Sequence, residues 1–128
     1  MNSPFVLDAS ALLCLIRDEP GAAVVAALLP DSTMSAVNLS ETVAKLADVG
    51  MDAKAIGAVL APLQLRVVAF GETAALTAGL LRVETRAAGL SFGDRACLAL
   101  AQELGAQAVT TDRAWSRLES EVAIRLVR

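Results

Sequence analysis

Histidine is absent from the 128 residues, and so is tyrosine. The first absence removes Ser-His-Asp and Cys-His nucleophilic sites, His-ligated zinc and His-based proton transfer. There are two cysteines, Cys14 and Cys97, each isolated in an apolar stretch without a CxxC spacing. They read as reduced core thiols, not as a disulfide or a zinc site. Lysine occurs only as Lys45 and Lys54. Aromatic residues make up 3% of the chain, so the core must be built from small and aliphatic side chains, which let helices pack closely on a sheet. Long apolar runs are missing as well. Residues 22–29 form one of the longest, far short of the ~20 that a membrane span needs. No basic segment followed by a long apolar stretch opens the chain, so no signal peptide is expected and a cytoplasmic protein is.

Hydrophobic residues are 55% of the sequence, enough to exclude disorder and to bury a sizeable core. The length fits a single domain over residues 1–128. Mean hydropathy is high, at +0.57, and the surplus apolar surface points to a partner or an oligomer. Net charge is −3 and the pI about 4.8. A nucleic-acid binder is usually basic. That objection weakens if the acids are gathered to hold cations, because bound metal inverts the local charge.

The periodicity predicts strands alternating with helices. Residues 5–7 read as a buried strand ending at Asp8, followed by a helix capped at Ser10. A second helix over 22–29 is stopped by Pro30, and 33–35 form a short strand. Asn38 is expected to open a helix ended by Gly50, and Asp52 to cap the next. A strand over 65–70 leads to a long helix over 72–88, and Ser91 opens a helix that Gly105 ends. Residues 108–110 form a strand, 114–118 a helical turn, and 122–127 a last strand. This pattern predicts an α/β/α sandwich around a mainly parallel sheet, with ligands beyond the carboxyl ends of the strands.

Four acids fall where those ends meet. Asp8 and Asp112 lie at or just past strand ends, and Glu41 and Asp94 in the first turns of helices. Each has an ordinary explanation. Asn38-x-x-Glu41 and Ser91-x-x-Asp94 have the shape of capping boxes, and Asp8 and Asp112 fit Asx-turns. Four carboxylates on one crevice would nevertheless repel one another and resist burial unless a cation joined them. Oxygen ligands without His or Cys select Mg²⁺ or Mn²⁺ over zinc.

The segments around these acids resemble a known family. Val6-Leu7-Asp8-Ala9-Ser10-Ala11-Leu12 resembles the first motif of PIN-domain ribonucleases, and Ser40-Glu41-Thr42-Val43-Ala44-Lys45-Leu46 the second. Leu90-Ser91-Phe92-Gly93-Asp94-Arg95-Ala96-Cys97-Leu98-Ala99-Leu100-Ala101 resembles the third, and Val109-Thr110-Thr111-Asp112-Arg113-Ala114-Trp115 the fourth. In order, spacing and length the chain is similar to the VapC-type toxins of VapBC toxin–antitoxin modules. The resemblance implies a PIN-like fold, an endoribonuclease acting on RNA, and Mg²⁺ or Mn²⁺ held by Asp8, Glu41, Asp94 and Asp112. It implies a site hydroxyl at Thr110, with Ser10 behind the ligands. It also implies a VapB-like antitoxin on the early helices and a homodimer. Some relatives carry a further acid after the fourth motif, where this chain has Arg113-Ala114-Trp115-Ser116.

Arg95 and Arg113 flank the acidic motifs and are candidates for holding RNA phosphates, with Arg82 and Arg86 weaker ones. The alternative is a solvated face with helical ion pairs such as Glu41 with Lys45. Trp115 is expected to pack in the core. Leu12, Leu13, Leu15, Ile16, Val24, Val25 and Leu28 wrap more than one face of the early helices, which suggests a groove lined by Leu13, Val24 or Leu28. A phosphoacceptor receiver domain would need a late lysine at a strand end, and a haloacid-dehalogenase-type phosphatase Asp-x-Asp where this chain has Asp8-Ala9-Ser10. Both are disfavoured. A catalytically weak interaction module on the same fold is the stronger rival.

Overall fold

A computed structural model describes residues 3–128. Strand β1 (Phe5–Leu7) is followed by helices α1 (Ala9–Ile16) and α2 (Ala22–Leu28), then by β2 (Ser32–Ser35). Helices α3 (Ala36–Asp48) and α4 (Ala53–Leu60) precede the short β3 (Val67–Val68). Helices α5 (Glu72–Thr85) and α6 (Phe92–Leu104) lead to β4 (Gln107–Thr110), a 3-10 turn over Arg113–Arg117, and β5 (Ile124–Leu126). The sheet order is β3-β2-β1-β4-β5 and every pairing is parallel.

Side-chain alternation in the central strands explains the layers. Val6 and Ala108 face α5 and α6, joining Ala78, Leu81, Leu98 and Trp115. Their neighbours Leu7 and Val109 face the other way, joining Leu12 and Val25 of α1 and α2. Both faces of β1 and β4 are covered, so these strands are apolar throughout, as in parallel sheets generally. The α/β/α sandwich expected from the sequence is the fold. Trp115 is fully buried, and Cys14 and Cys97 are free and buried. Among the described residues no helix is long and apolar enough to cross a membrane.

Two helix starts differ from expectation. Helix α1 is capped by Asp8, whose Oδ1 accepts from the Ala11 amide at 2.8 Å, and not by Ser10. Helix α3 starts at Ala36 with Ser35 as its cap, so Asn38 lies inside the helix and is buried. The edge strands β3 and β5 are shorter than expected, because a strand paired on one side only has half the ladder to extend it. Helix α5 ends at Thr85, before a turn that Gly89 completes at φ 69°.

The expected groove on the early helices is partly filled. Leu13 is buried in a small core with Leu46 and Ile56, where α1 meets α3 and α4. Val24 and Leu28 are half-buried against the α1–α2 side of the sheet. The two most exposed large apolar side chains among the described residues lie elsewhere, on α5, at Leu80 and Val83, with Leu76 exposed beside them.

Gly21 joins the chain's end to this side. Its φ is +102°, and a Cβ there would come within 2.5 Å of the Val127 carbonyl oxygen. Only glycine allows that approach. It seats the segment after β5 on the α1–α2 turn, where Arg128 pairs with Glu19 at 3.3 Å.

Candidate active site

The C-terminal ends of β1 and β4, the first turns of α1 and α6 and the second turn of α3, where Glu41 lies rather than in the first turn expected, converge on a crevice of about 300 Å³. Asp8, Glu41, Asp94 and Asp112 all line it, together with Ser10, Thr111, Glu19, Arg17, Lys45 and Arg128.

Each of the four acids is anchored by hydrogen bonds, Asp8 through both carboxylate oxygens and the other three through one. Asp8 Oδ1 accepts from the Ala11 amide and from Ser10 Oγ at 2.7 Å, and Oδ2 accepts from Thr110 Oγ1 at 2.5 Å. A carboxylate offers about four acceptor positions, so one remains on Oδ2. Asp94 Oδ2 accepts from the Ser91 amide while Ser91 Oγ accepts from the Asp94 amide, a complete capping box. Glu41 Oε1 accepts from Asn38 Nδ2 at 2.8 Å, and Asp112 Oδ1 from the Ala114 amide at 2.9 Å. Among the described residues nothing donates to Asp94 Oδ1, Glu41 Oε2 or Asp112 Oδ2. For Asp94 and Asp112 the capping and site readings are compatible, one oxygen holding the backbone and the other open. The expected Asn38–Glu41 capping box does not form, since Ser35 caps α3 and Glu41 is held by the Asn38 side chain.

Thr110 and Ser10 tie the motifs together. Thr110 Oγ1 donates to Asp8 and accepts from the Asp112 amide at 3.0 Å. Ser10 Oγ donates to Asp8 and accepts from the Thr111 amide at 3.0 Å. Thr110 is fully buried.

The carboxylates sense their burial and one another. Asp8 is 4% exposed, and its pKa rises from 3.8 to about 6. Desolvation is the largest cause; the hydrogen bonds from Thr110, Ser10 and Ala11 oppose it, and the charge of Asp94 adds to it. Asp94 is also raised, first by desolvation, with the charge of Asp112 contributing. Burial pushes the Cys97 thiol well up, which keeps it protonated and inert.

Five carboxylates line the crevice against Arg17, Lys45 and Arg128, and Arg128 is engaged by Glu19. The crevice therefore has a negative excess. Among the described residues no three acids are gathered into a ready-made metal cage. The all-oxygen donor set and the open oxygens fit a hard cation that keeps part of its water shell and takes only one or two carboxylates directly.

The basic residues differ most from expectation. Arg95 does not line the crevice; its Nη1 donates to the Ala78 carbonyl of α5 at 2.9 Å, with the guanidinium 5.9 Å from the Phe92 ring centroid. Arg113, Arg82 and Arg86 are exposed and do not line it either. Lys45 forms no ion pair with Glu41: among the described residues the one pair is Arg128–Glu19. Arg17 and Arg128 were not singled out from sequence. No local signal could have found them, since they come from the end of α1 and the end of the chain.

Fold and site together define an α/β domain whose parallel sheet carries an acidic crevice at its carboxyl edge. The PIN domain family matches residues 5–121. The chain belongs to this family of nucleases. No curated protein matches it in sequence. Among solved structures, the DNA-bound VapBC complex from Salmonella typhimurium aligns with a TM-score of 0.77 at 19% identity, covering 100% of both chains. VapBC2 from Rickettsia felis bound to a promoter DNA fragment aligns at 0.74 and 18%, covering 95% of this chain and 97% of that one. FitAcB from Neisseria gonorrhoeae aligns at 0.68 and 22%, covering 96% and 97%. At these identities the likeness is one of fold.

Proposed function

We propose that the chain is a Mg²⁺- or Mn²⁺-dependent endoribonuclease of the VapC kind, the toxin of a type II toxin–antitoxin module, acting as one domain in the cytoplasm. The observation that carries this reading is the set of four anchored carboxylates with open oxygens in one crevice of negative excess. A polyanionic substrate would be repelled there unless a cation came first.

Asp8 Oδ2 and Asp94 Oδ1 would hold the cation, with Glu41 and Asp112 reaching it directly or through water. When bound, the ion supplies a water of lowered pKa for attack on a phosphodiester and offsets the phosphate charge. The chain's own residues do the rest. Thr110 and Ser10 fix the Asp8 carboxylate so that the remaining acceptor position on Oδ2 points one way. Arg17 and Lys45 line the same crevice and are placed to hold the flanking phosphates. Arg113 is exposed beside Asp112 and is available to a longer RNA, whereas Arg95 serves the α5–α6 contact.

Purified protein is expected to cleave total RNA with Mg²⁺ or Mn²⁺, to stop in EDTA and to resume on addition of excess metal. Cleavage undiminished by EDTA, or no cleavage under any metal, defeats the reading. The second outcome favours an interaction module on the same fold.

The partners follow from the apolar surfaces. A VapB-like segment would lie along α1 and α2, against Ile16, Val24 and Leu28, and reach the crevice near Arg17. A second copy of the chain would use α5, where Leu76, Leu80 and Val83 are 64%, 76% and 73% exposed. Their spacing places them on one stripe of the helix. Leu80→Glu is expected to convert a dimer to a monomer in sedimentation velocity with little change in melting temperature. Unchanged sedimentation would remove α5 as the interface.

A further inference from the structure

We infer that Asn38 and Gly93 are positioning residues that together set where the Glu41 carboxylate stands; the inference rests on the metal-dependent reading above. Asn38 lies within α3, one turn before Glu41, and is 1% exposed. Its Nδ2 donates to Glu41 Oε1 at 2.8 Å and to the Gly93 carbonyl of α6 at 3.0 Å. Both amide hydrogens are thereby used. Neither acceptor could be served by the oxygen end, so the orientation of the amide is fixed. Asn38 Oδ1 is left buried without a partner. A buried acceptor without a partner is a cost that needs a reason. Helix packing gives none, since an apolar residue would fill the place without an orphan. Holding a carboxylate against a second helix does.

Gly93 completes the arrangement. It is buried in the first turn of α6, between Phe92 and Asp94. A Cβ built there would lie 2.2–2.3 Å from Glu41 Oε2, Cδ and Oε1. All three of these nearest atoms belong to the carboxylate, the far end of a flexible side chain. The missing side chain is thus the space that the Glu41 carboxylate occupies. Asn38 pulls the carboxylate in and Gly93 lets it approach, which seats it beside the helix turn that carries Asp94. The amino end of α6 also favours anions, which eases the proximity of two carboxylates.

This geometry gives Gly93→Ala an unusual signature. Alanine is the better helix former, and the obstructing atoms are the mobile end of a side chain. The fold should hold while Glu41 is displaced. Mn²⁺ binding would be measured by calorimetry, alongside melting in EDTA, for the parent, Gly93→Ala, Asn38→Ala, Glu41→Gln and Glu41→Gln/Gly93→Ala. Gly93→Ala is expected to melt at or above the parent temperature yet to bind Mn²⁺ about tenfold or more weaker, as disturbed supports of metal ligands do. The double variant is expected to bind like Glu41→Gln alone, because Gly93 acts only through Glu41. Asn38→Ala should weaken binding in the same direction. Parent-like Mn²⁺ binding by Gly93→Ala, or losses that multiply in the double variant, would overturn the inference while leaving the nuclease reading intact. A parent protein that binds no Mn²⁺ would remove the nuclease reading and this inference with it.

Discussion

Asp8→Asn is expected to raise the melting temperature of the metal-free protein at pH 7.5 while lowering RNA cleavage by about 100-fold or more, the order of loss seen when one preorganised group is removed from a site. The two effects share one cause. At neutral pH the fold holds an ionised carboxylate that is 4% exposed and whose pKa is raised to about 6. Displacement from 3.8 to about 6 corresponds to ~3 kcal/mol of stability forgone at pH 7.5. Asparagine keeps the geometry. Its oxygen can still accept from the Ala11 amide and Ser10, and its amide nitrogen can donate to Thr110 Oγ1. It sheds the charge that the metal would neutralise. A marked fall in melting temperature would show instead that the hydrogen bonds from Ala11, Ser10 and Thr110 to the ionised carboxylate outweigh its desolvation.

The pH dependence of the parent protein follows from the same shift. The folded-state pKa lies above the unfolded value, so the folded state binds the extra proton between the two. The stability associated with protonated Asp8 is fully present below about 3.8 and is lost as pH rises through about 6. Asp94 shifts in the same direction and adds to the slope. In EDTA the melting temperature should therefore decline between about pH 4 and pH 7 from these groups, and the decline should be shallower in Asp8→Asn. A parallel slope in the two proteins would mean that Asp8 is not the group responsible.

The sequence carried the layered α/β architecture and the four acids because both depend on local signals. Val6-Leu7 and Ala108-Val109 are apolar in unbroken runs, which marks strands covered on both faces. Ser91 and Asp94 announce their helix with a capping box that the structure contains in full. What escaped was set by distant parts of the chain. Ser10 looked like a cap because it precedes an apolar run, yet Asp8 takes that place while Ser10 braces Asp8 and the Thr111 amide, a residue 101 positions away. Asn38 looked like the opening of a helix, but Ser35 lies one turn earlier and caps it, and Asn38 turns instead to a carbonyl 55 residues on. Arg95 looked like a phosphate ligand from its nearness to Asp94 in sequence. A helix places consecutive residues about 100° apart, and Arg95 accordingly faces α5. Lys45 is one turn beyond Glu41 and does share its crevice.

Thr110→Val is expected to move stability the opposite way, although Thr110 touches Asp8. Valine matches threonine in shape and suits a strand, so β4 itself should be undisturbed. The lost hydroxyl serves both sides: it donates to Asp8 Oδ2 and accepts from the Asp112 amide. Its removal strips a buried carboxylate of one of its three donors and leaves the Asp112 amide without its acceptor. Each loss is of the order of 1–2 kcal/mol, so a destabilisation of ~2–4 kcal/mol is expected in EDTA at pH 7.5. The Thr110 hydrogen bond also lowers the Asp8 pKa, so without it that pKa should rise further and metal binding should compete with a more tightly held proton. Weaker Mn²⁺ affinity by about 10–100-fold is expected, as for other residues that orient ligands. Thr110→Ser restores the hydroxyl and should recover most of both losses. If Thr110→Val melts and binds like the parent, the hydroxyl does not link Asp8 to Asp112. If Thr110→Ser is as impaired as Thr110→Val, restoring the hydroxyl does not suffice, and the methyl group that serine lacks, and so the packing of β4, matters as well. The contrast is therefore diagnostic. Removing the charge at Asp8 relieves the crevice, whereas removing the hydroxyl at Thr110 leaves the charge in place with less to hold it.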